Sequence, residues 1–279
     1  MKKACVIGWP IEQSRSPLIH NYWLKNYGID ALYEKKPLEP EDVSDFIANL
    51  VTSEFVGCNV TIPHKETVFL AVQKVDAIAA RLAAVNTVYV RDGMVCGTNT
   101  DGEGFIASLR YSFPAFNLKN RTALIVGAGG AAKAVIGALL DEGVEKIGII
   151  NRTRERILAL QQQFGPRIIE INGISASEEL RSCTLLVNTT SQGMKGQPAL
   201  DLDIKALPPE AIVADIVYAP LETAFLERAR QQGNPVLGGL GMLLYQAVRG
   251  FELWFGVRPE VTDDLYELIA ADLRKAPTE

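Results

Sequence analysis

The stretch TALIVGAGGAAKAVIGALLDEG, residues 122–143, constrains the fold more than any other part of this 279-residue chain. An apolar run of strand length meets Gly127, Gly129 and Gly130 and passes at once into an apolar helical pattern that ends near Gly143. A second apolar run, VEKIGIINRT, follows within about thirty residues. Strand, glycine turn, helix and strand in that order make a βαβ unit, which is stable in a parallel sheet covered by helices. RERILALQQQFG then reads as a helix, and CTLLVNTT and AIVADIVY read as strands buried on both faces.

Residues 1–101 alternate less cleanly. KACVIG is a strand, and Pro17 is placed to begin a helix running to about Tyr27. ALYEKKPL is a second strand, and EPEDVSDFIANL a helix with acids in its first turn. EFVGCNVT is a third strand, helical patterns run on to Arg81, and two strand segments flank an Asp92-Gly93 turn. The final segments, GMLLYQAVRGFELWFG and TDDLYELIAADLRK, read as helices. The expected class is α/β.

Charge and cysteine content narrow the function. A net charge of −5 supplies no basic field for nucleic acid or anionic lipid. Cys5, Cys58, Cys96 and Cys183 are widely spaced and form no C-x-x-C pair, which suits reduced thiols in a reducing compartment. With His20 and His64 as the only histidines, no Cys/His cluster has metal-ligand spacing, so no metal site is expected. Met1-Lys2-Lys3 precedes an apolar run, but Trp9-Pro10 cuts it and no cleavage pattern follows. No apolar stretch is long enough to span a bilayer, and a cytoplasmic location is expected.

The glycine turn has the G-x-G-x-x-A form, with Ala132 in the last place. Glycines let the backbone approach a pyrophosphate, and amides at the helix start hold the anion. An NAD-binding unit usually carries an Asp or Glu about twenty residues on. Here the second strand ends in Asn151-Arg152-Thr153, followed by Arg154 and Arg156. A guanidinium binds a 2′-phosphate in a fork, and cations at a helix start are otherwise opposed by its dipole. NADP is therefore expected over NAD.

The first hundred residues end their strands in polar side chains. Ser14 and Ser16 precede the Pro17 helix, where two hydroxyls fit a carboxylate or serve as ordinary caps. Asn59 and Thr61 share one face of a strand end, and Lys65 follows Pro63. Asn86-Thr87 interrupts an apolar run, and GTNTDGEG places Asn99 and Asp101 before a helix. Neutral donors and acceptors with one Lys and one Asp are the inventory for holding a small polyhydroxylated acid and moving a proton.

The motifs GWPIEQSRSPLIHN, GCNVTIPHK, AVNT, GTNTDGEG, GAGGAAKA, NRT and GLGMLLYQA stand in one order over most of the chain. In these the chain resembles the NADP-dependent shikimate dehydrogenase family. The resemblance implies a two-domain α/β enzyme reducing 3-dehydroshikimate to shikimate with NADPH in aromatic amino-acid synthesis. It implies a discontinuous substrate domain, residues 1–103 plus 240–279, and a Rossmann-type NADP-binding domain, residues 104–239. By the same motifs Ser14 and Ser16 hold the substrate carboxylate, and Thr61, Asn86, Asp101 and Gln246 reach its hydroxyls. Asn59 shapes the pocket, Tyr218 closes it, and Lys65 and Asp101 are the catalytic pair. Gly127, Ala128, Gly129, Gly130, Ala131, Asn151, Arg152, Thr153, Arg156, Ile216 and Gly239 hold the cofactor. A monomer or homodimer is expected.

Three positions depart from the family pattern. Gln13 stands where His is common, Arg15 where an apolar residue is common, and Gly238 where an acid is frequent. Two rival readings are a quinate/shikimate dehydrogenase using NAD and a non-catalytic NADP-binding sensor. The basic NRTRER run opposes NAD, and the presence of both Lys65 and Asp101 opposes the sensor.

Overall fold

The computed structural model describes residues 1–172 and 176–275. Its described residues divide into two compact units, one of residues 1–101 with 244–269, the other drawn from residues 102–243 with 270–275. The substrate domain expected from the sequence runs to residue 279, so its residues 276–279 lie outside the described residues.

The first unit begins with β1 (Lys2–Gly8), α1 (Ser16–Asn26), β2 (Ala31–Pro37), α2 (Val43–Ala48) and β3 (Phe55–Val60). It continues through α3 (Lys65–Ala71), β4 (Lys74–Val75), α4 (Ala77–Leu82), β5 (Thr87–Arg91) and β6 (Met94–Thr98). Among the described residues these strands form one sheet in the order β2-β1-β3-β5-β6-β4. β1 is parallel to both β2 and β3, whereas β5 is antiparallel to β3 and to β6. β5 and β6 form a hairpin closed at Asp92-Gly93, whose φ values of 52° and 73° give the positive-φ pair of a tight turn.

The core of this unit follows from the apolar runs. Cys5 and Ile7 on β1 pack with Cys58 and Val60 on β3, Ile47 of α2, Val68 of α3, and Val85 and Val88. Cys5 and Cys58 are register partners and, like Cys96 and Cys183, are buried free thiols. α1 buries Ile19, His20, Trp23 and Leu24 along one stripe, the 3.6-residue pattern of a helix on a sheet. Each aliphatic side chain so withdrawn from water, Ile19 and Leu24 among them, is worth roughly 1.5–3 kcal/mol.

The second unit has β7 (Thr122–Val126), α6 (Gly130–Asp141), β8 (Lys146–Ile150), α7 (Arg154–Phe164), β9 (Ile168–Glu170) and α8 (Ala176–Ser182). β10 (Leu185–Asn188), β11 (Ile212–Asp215), α9 (Ala224–Gln232) and β12 (Val236–Leu237) follow. The boundaries between the units fall within α5 (Asp101–Ser112), α10 (Gly239–Phe255) and α11 (Asp263–Lys275). All pairings in this sheet are parallel, in the order β12-β11-β10-β7-β8-β9. That is the doubly wound order in which the chain reverses direction between β7 and β10, where ligands bind in such folds. Ala123 and Ile125 of β7 and Leu124 and Val126 are all buried, in the two clusters on opposite faces of the strand.

Two local readings of the sequence are refined. The helical pattern expected up to Arg81 is broken at Lys74–Val75, which pair as a short strand with Cys96 and Gly97 of β6. β4, β9 and β12 have two, three and two residues, too few for periodicity to register.

Candidate active site

Two chain segments of the first unit converge on Asp101. β3 ends at Val60, and after Pro63 the chain enters α3 at Lys65. The Lys65 ammonium donates to Asp101 Oδ2 at 2.5 Å. Asn86, immediately before β5, donates its Nδ2 to Asp101 Oδ1 at 2.7 Å. The side chains of Lys65 and Asp101 keep 25% and 12% of their exposure, so the pair is only partly withdrawn from water. Partial burial strengthens the charge interaction over that of a surface pair while leaving the ammonium reachable by a ligand.

The surrounding groups fix that pair. Asn86 Oδ1 accepts from Thr100 N at 2.9 Å and from Thr87 Oγ1 at 2.9 Å, and Asp101 N donates to Asn99 Oδ1 at 3.2 Å. Thr100 Oγ1 donates to the backbone oxygen of Gln246 at 2.8 Å, tying α10 to the site. Asn59 commits its amide to protein partners: Oδ1 accepts from Tyr33 Oη at 2.6 Å, and Nδ2 donates to Thr87 Oγ1 at 3.2 Å. Asn59, Asn86 and Thr87 are all buried.

Ser14 and Ser16 sit at the start of α1, with Ser14 Oγ donating to Ser16 Oγ at 3.3 Å. Arg15, the point of departure in this loop, turns its guanidinium onto the Gln13 carbonyl at 2.6 Å. Gln13 in turn donates to the Pro10 carbonyl at 3.3 Å. Thr61 is half-buried, one residue past β3, and its N–H donates to Ile7 O at 3.0 Å. A Cβ on Gly8 would lie 2.5 Å from the Thr61 methyl, so only glycine lets the two strand ends approach this closely. His64 is buried with its ring against Leu38 O at 2.8 Å, a structural role.

In the second unit the glycine turn lies after β7, at the reversal of strand order. Gly127 has φ +108°, and a Cβ there would also meet Thr189 Oγ1 at 2.7 Å. Gly129 immediately precedes α6 as its N-cap, and no side chain caps that helix end. A Cβ at Gly129 or Gly130 would meet nothing within 4 Å, so the turn faces open space. Ala132 is fully buried in the core, where the fingerprint's last small residue belongs. These features fit a dinucleotide pyrophosphate held by backbone amides, with Ala128 and Ala131 in the same turn.

β8 ends before Asn151-Arg152-Thr153, where Asn151 Nδ2 donates to Thr153 O at 2.8 Å. Arg152, Thr153 and Arg156 are exposed. Arg154 instead pairs with Glu170 at 3.0 Å.

After β11, Asp215 is buried and holds two loops. Its carboxylate accepts from Asn188 Nδ2 at 3.0 Å, Val217 N at 3.0 Å and Thr223 Oγ1 at 2.8 Å. Burial raises its pKa, and those three donors pull it back. Ile216 N donates to Asn188 O at 3.1 Å. A Cβ on Gly239 would sit 2.1 Å from Ile216 O, so the two backbones touch. Tyr218 follows, half-buried.

Comparison with known proteins now decides the family. Residues 6–88 match the shikimate dehydrogenase substrate binding domain, residues 110–194 match shikimate / quinate 5-dehydrogenase, and residues 239–263 match the shikimate 5'-dehydrogenase C-terminal domain. The chain is 50% identical over 270 residues to shikimate dehydrogenase (NADP(+)) of Rhodopseudomonas palustris strain BisB5, covering 97% of this chain and 95% of that protein. The chain belongs to the shikimate dehydrogenase family. Among other members, it is 49% identical to the Methylocella silvestris enzyme of the same name, over 98% of both chains. The crystal structure of the Thermus thermophilus family member in complex with NADP(H) and shikimate superposes with a TM-score of 0.86 at 35% identity, over 98% of this chain and 100% of that one.

Sequence reading left two groups out of the site. Tyr33 looks like a core aromatic on an alternating strand, and nothing local marks its hydroxyl as the partner of Asn59, 26 residues away. Thr87 was visible as a polar break in an apolar run, though not as the link between Asn59 and Asn86.

Proposed function

We propose that this chain interconverts 3-dehydroshikimate and shikimate with NADP, as a shikimate dehydrogenase of aromatic amino-acid synthesis. The observation that carries the reading is the Lys65–Asp101 ion pair anchored by Asn86, inside a chain half identical to NADP-dependent family members. Residues 1–103 with 240–279 bind the substrate, and residues 104–239 bind NADP. Ser14 and Ser16 hold the substrate carboxylate, and Thr61, Asn86, Asp101 and Gln246 bind its hydroxyls. Asn59 shapes this pocket from behind, and Tyr218 covers it.

The cofactor, when bound, would supply the hydride as NADPH in reduction and accept it as NADP+ in the reverse direction. The glycine turn, with Gly127 to Ala131, would hold its pyrophosphate, and Asn151, Arg152, Thr153 and Arg156 its 2′-phosphate. Ile216 and Gly239 would flank the remainder. No carboxylate ends β8, so nothing there repels a 2′-phosphate or replaces it on the ribose.

As the substrate carbonyl is reduced, negative charge grows on its oxygen. The Lys65 ammonium stabilises that charge and transfers its proton to the oxygen, leaving a hydroxyl and a neutral amine. Asp101 orients the ammonium and accepts a hydrogen bond from the substrate. In the reverse direction the neutral amine takes the hydroxyl proton. The protein works in a reducing cytoplasm as a monomer or homodimer, which suits four buried free thiols. Among the described residues no helix is long and apolar enough to cross a membrane.

The test is nicotinamide absorbance with shikimate and quinate, each with NADP and with NAD. Rapid reduction confined to shikimate with NADP is expected. Comparable turnover of quinate, or preference for NAD, would move the chain to a catabolic activity. Absence of turnover in all four mixtures, from folded NADP-binding protein, would favour a sensor.

A further inference from the structure

We propose that Tyr33 and Thr87 are positioning residues: they complete a one-way chain of hydrogen bonds from the Tyr33 phenol, through Asn59 and Asn86, to the Lys65–Asp101 pair. The inference rests on the functional reading above, which assigns the Lys65–Asp101 end of the chain to proton transfer.

The direction of the chain is set at its carboxylate end. Asp101 Oδ1 can only accept while ionised, so Asn86 presents its Nδ2 to it, at 2.7 Å. Asn86 Oδ1 then faces Thr87, whose hydroxyl donates to it at 2.9 Å. With its proton so used, Thr87 Oγ1 accepts from Asn59 Nδ2 at 3.2 Å. Asn59 Oδ1 is left facing Tyr33, and the phenol donates to it at 2.6 Å. Every donor points toward Asp101.

An amide side chain is nearly symmetric in shape, and its orientation is set by its partners. Tyr33 and Thr87 are those partners for Asn59, and Thr87 together with Thr100 N sets Asn86. Tyr33, Asn59, Asn86 and Thr87 are exposed by no more than 5% each, so water cannot replace a missing link. Hydrogen bonds aligned head to tail polarise one another, and loss of one weakens the rest. Removing the Tyr33 hydroxyl therefore loosens the amide of Asn59 and, through Thr87, the Asn86 donor on Asp101. A purely structural role would lower stability alike for both ligands, whereas positioning acts on the shikimate half of the reaction.

The experiment measures kcat, KM for shikimate and KM for NADP in the unsubstituted protein, Tyr33→Phe, Thr87→Val, Thr87→Ser and the Tyr33→Phe/Thr87→Val double variant. Tyr33→Phe, which removes one buried hydrogen bond, should lower kcat/KM for shikimate by about tenfold, and Thr87→Val, which removes two, by at least as much, with KM for NADP unchanged. Thr87→Ser should recover most of what Thr87→Val loses. The double variant should be no worse than the weaker single one, because one chain is cut once or twice. Undiminished kcat/KM in Tyr33→Phe, or additive losses in the double variant, would overturn the inference while leaving the functional reading intact. A parallel rise in KM for NADP would mark a general structural defect and overturn it also. No turnover of shikimate by the unsubstituted protein overturns the functional reading, and this inference with it.

Discussion

The first unit builds its site from side chains, and the second builds its site from backbone. Around Asp101 the groups in play are an ammonium, a carboxylate, amides and hydroxyls, each oriented by another side chain. At the turn after β7 they are peptide N–H groups made accessible by Gly127, Gly129 and Gly130, with arginines exposed nearby. The difference follows from the ligands. A diphosphate is a diffuse anion that backbone dipoles and a helix end satisfy without chemical selectivity. A small hydroxy acid must be read hydroxyl by hydroxyl, and the group receiving a proton must be held within a fraction of an ångström. The side-chain site should therefore be intolerant of change in its functional groups, and the backbone site should be intolerant of change in its supports.

Substitution of Lys65 should give the largest effect and separate the two sites most sharply. Lys65→Ala should lower kcat about 10²- to 10⁴-fold, the usual worth of a positioned proton donor. KM for shikimate should move by only a few fold, and the dissociation constant of NADP, measured by titration calorimetry, not at all. A large rise in KM with little change in kcat would make Lys65 a binding group and not a proton donor.

Next in size is a support of the second unit. Asp215→Ala would leave Asn188 Nδ2, Val217 N and Thr223 Oγ1 without their shared acceptor, in a buried site. Unmet buried donors cost on the order of 1–3 kcal/mol, and Thr223 also caps α9. Urea denaturation should show a loss of about 3 kcal/mol, and NADP affinity should fall while shikimate KM holds. A loss below about 0.5 kcal/mol, the range of ordinary surface changes, would mean that these loops hold themselves without the carboxylate.

A smaller effect is expected at the exposed arginines. Arg152→Ala should raise KM for NADP about tenfold, as one charge-assisted contact is worth, and leave KM for NAD nearly unchanged. Equal effects on both cofactors would remove Arg152 from 2′-phosphate recognition. Arg154→Ala should do less, since that guanidinium already pairs with Glu170.

The same contrast explains what could be read from the sequence. The backbone site was legible because its signal is local: glycines between an apolar strand and an apolar helix admit few other structures. The parallel doubly wound sheet followed from that unit and from the fully apolar strands after it. In the first unit the polar strand ends were visible as interruptions, but their pairing was not. Lys65 and Asp101 lie 36 residues apart, and no local pattern states that they touch. Family resemblance brought them together where spacing could not. It did not bring in Tyr33, because a tyrosine on an alternating strand looks the same whether its hydroxyl meets water or an amide. The short strands β4, β9 and β12 escaped for a different reason, since they owe their existence to a neighbouring edge rather than to their own sequence.

His20 gives the smallest effect and the finest distinction between the units. It is fully buried among Trp23, Tyr33, Phe251 and Trp254, with ring centroids 5.6, 4.1, 6.0 and 5.3 Å away. Neither ring nitrogen has a hydrogen-bond partner. Burial lowers its pKa from 6.5 to about 3, with Asn59 close enough to offset part of the change. Between those values the unfolded chain binds a proton that the folded chain does not, so stability is lost as pH falls through that window and is fully present above it. Well below pH 6.5 the loss approaches about 1.4 kcal/mol per pH unit. All three tryptophans, Trp9, Trp23 and Trp254, belong to the first unit, so their fluorescence reports its unfolding. Urea titrations of the unsubstituted protein and His20→Leu at pH 8, 6 and 5 should give a stability difference that is constant near pH 8 and shifts in favour of the variant by roughly 1 kcal/mol between pH 6 and pH 5. Parallel stability curves would mean that His20 is protonated in the folded protein and that the aromatic box opens to water, which would deprive Tyr33 and Asn59 of the dry surroundings on which their orientation depends.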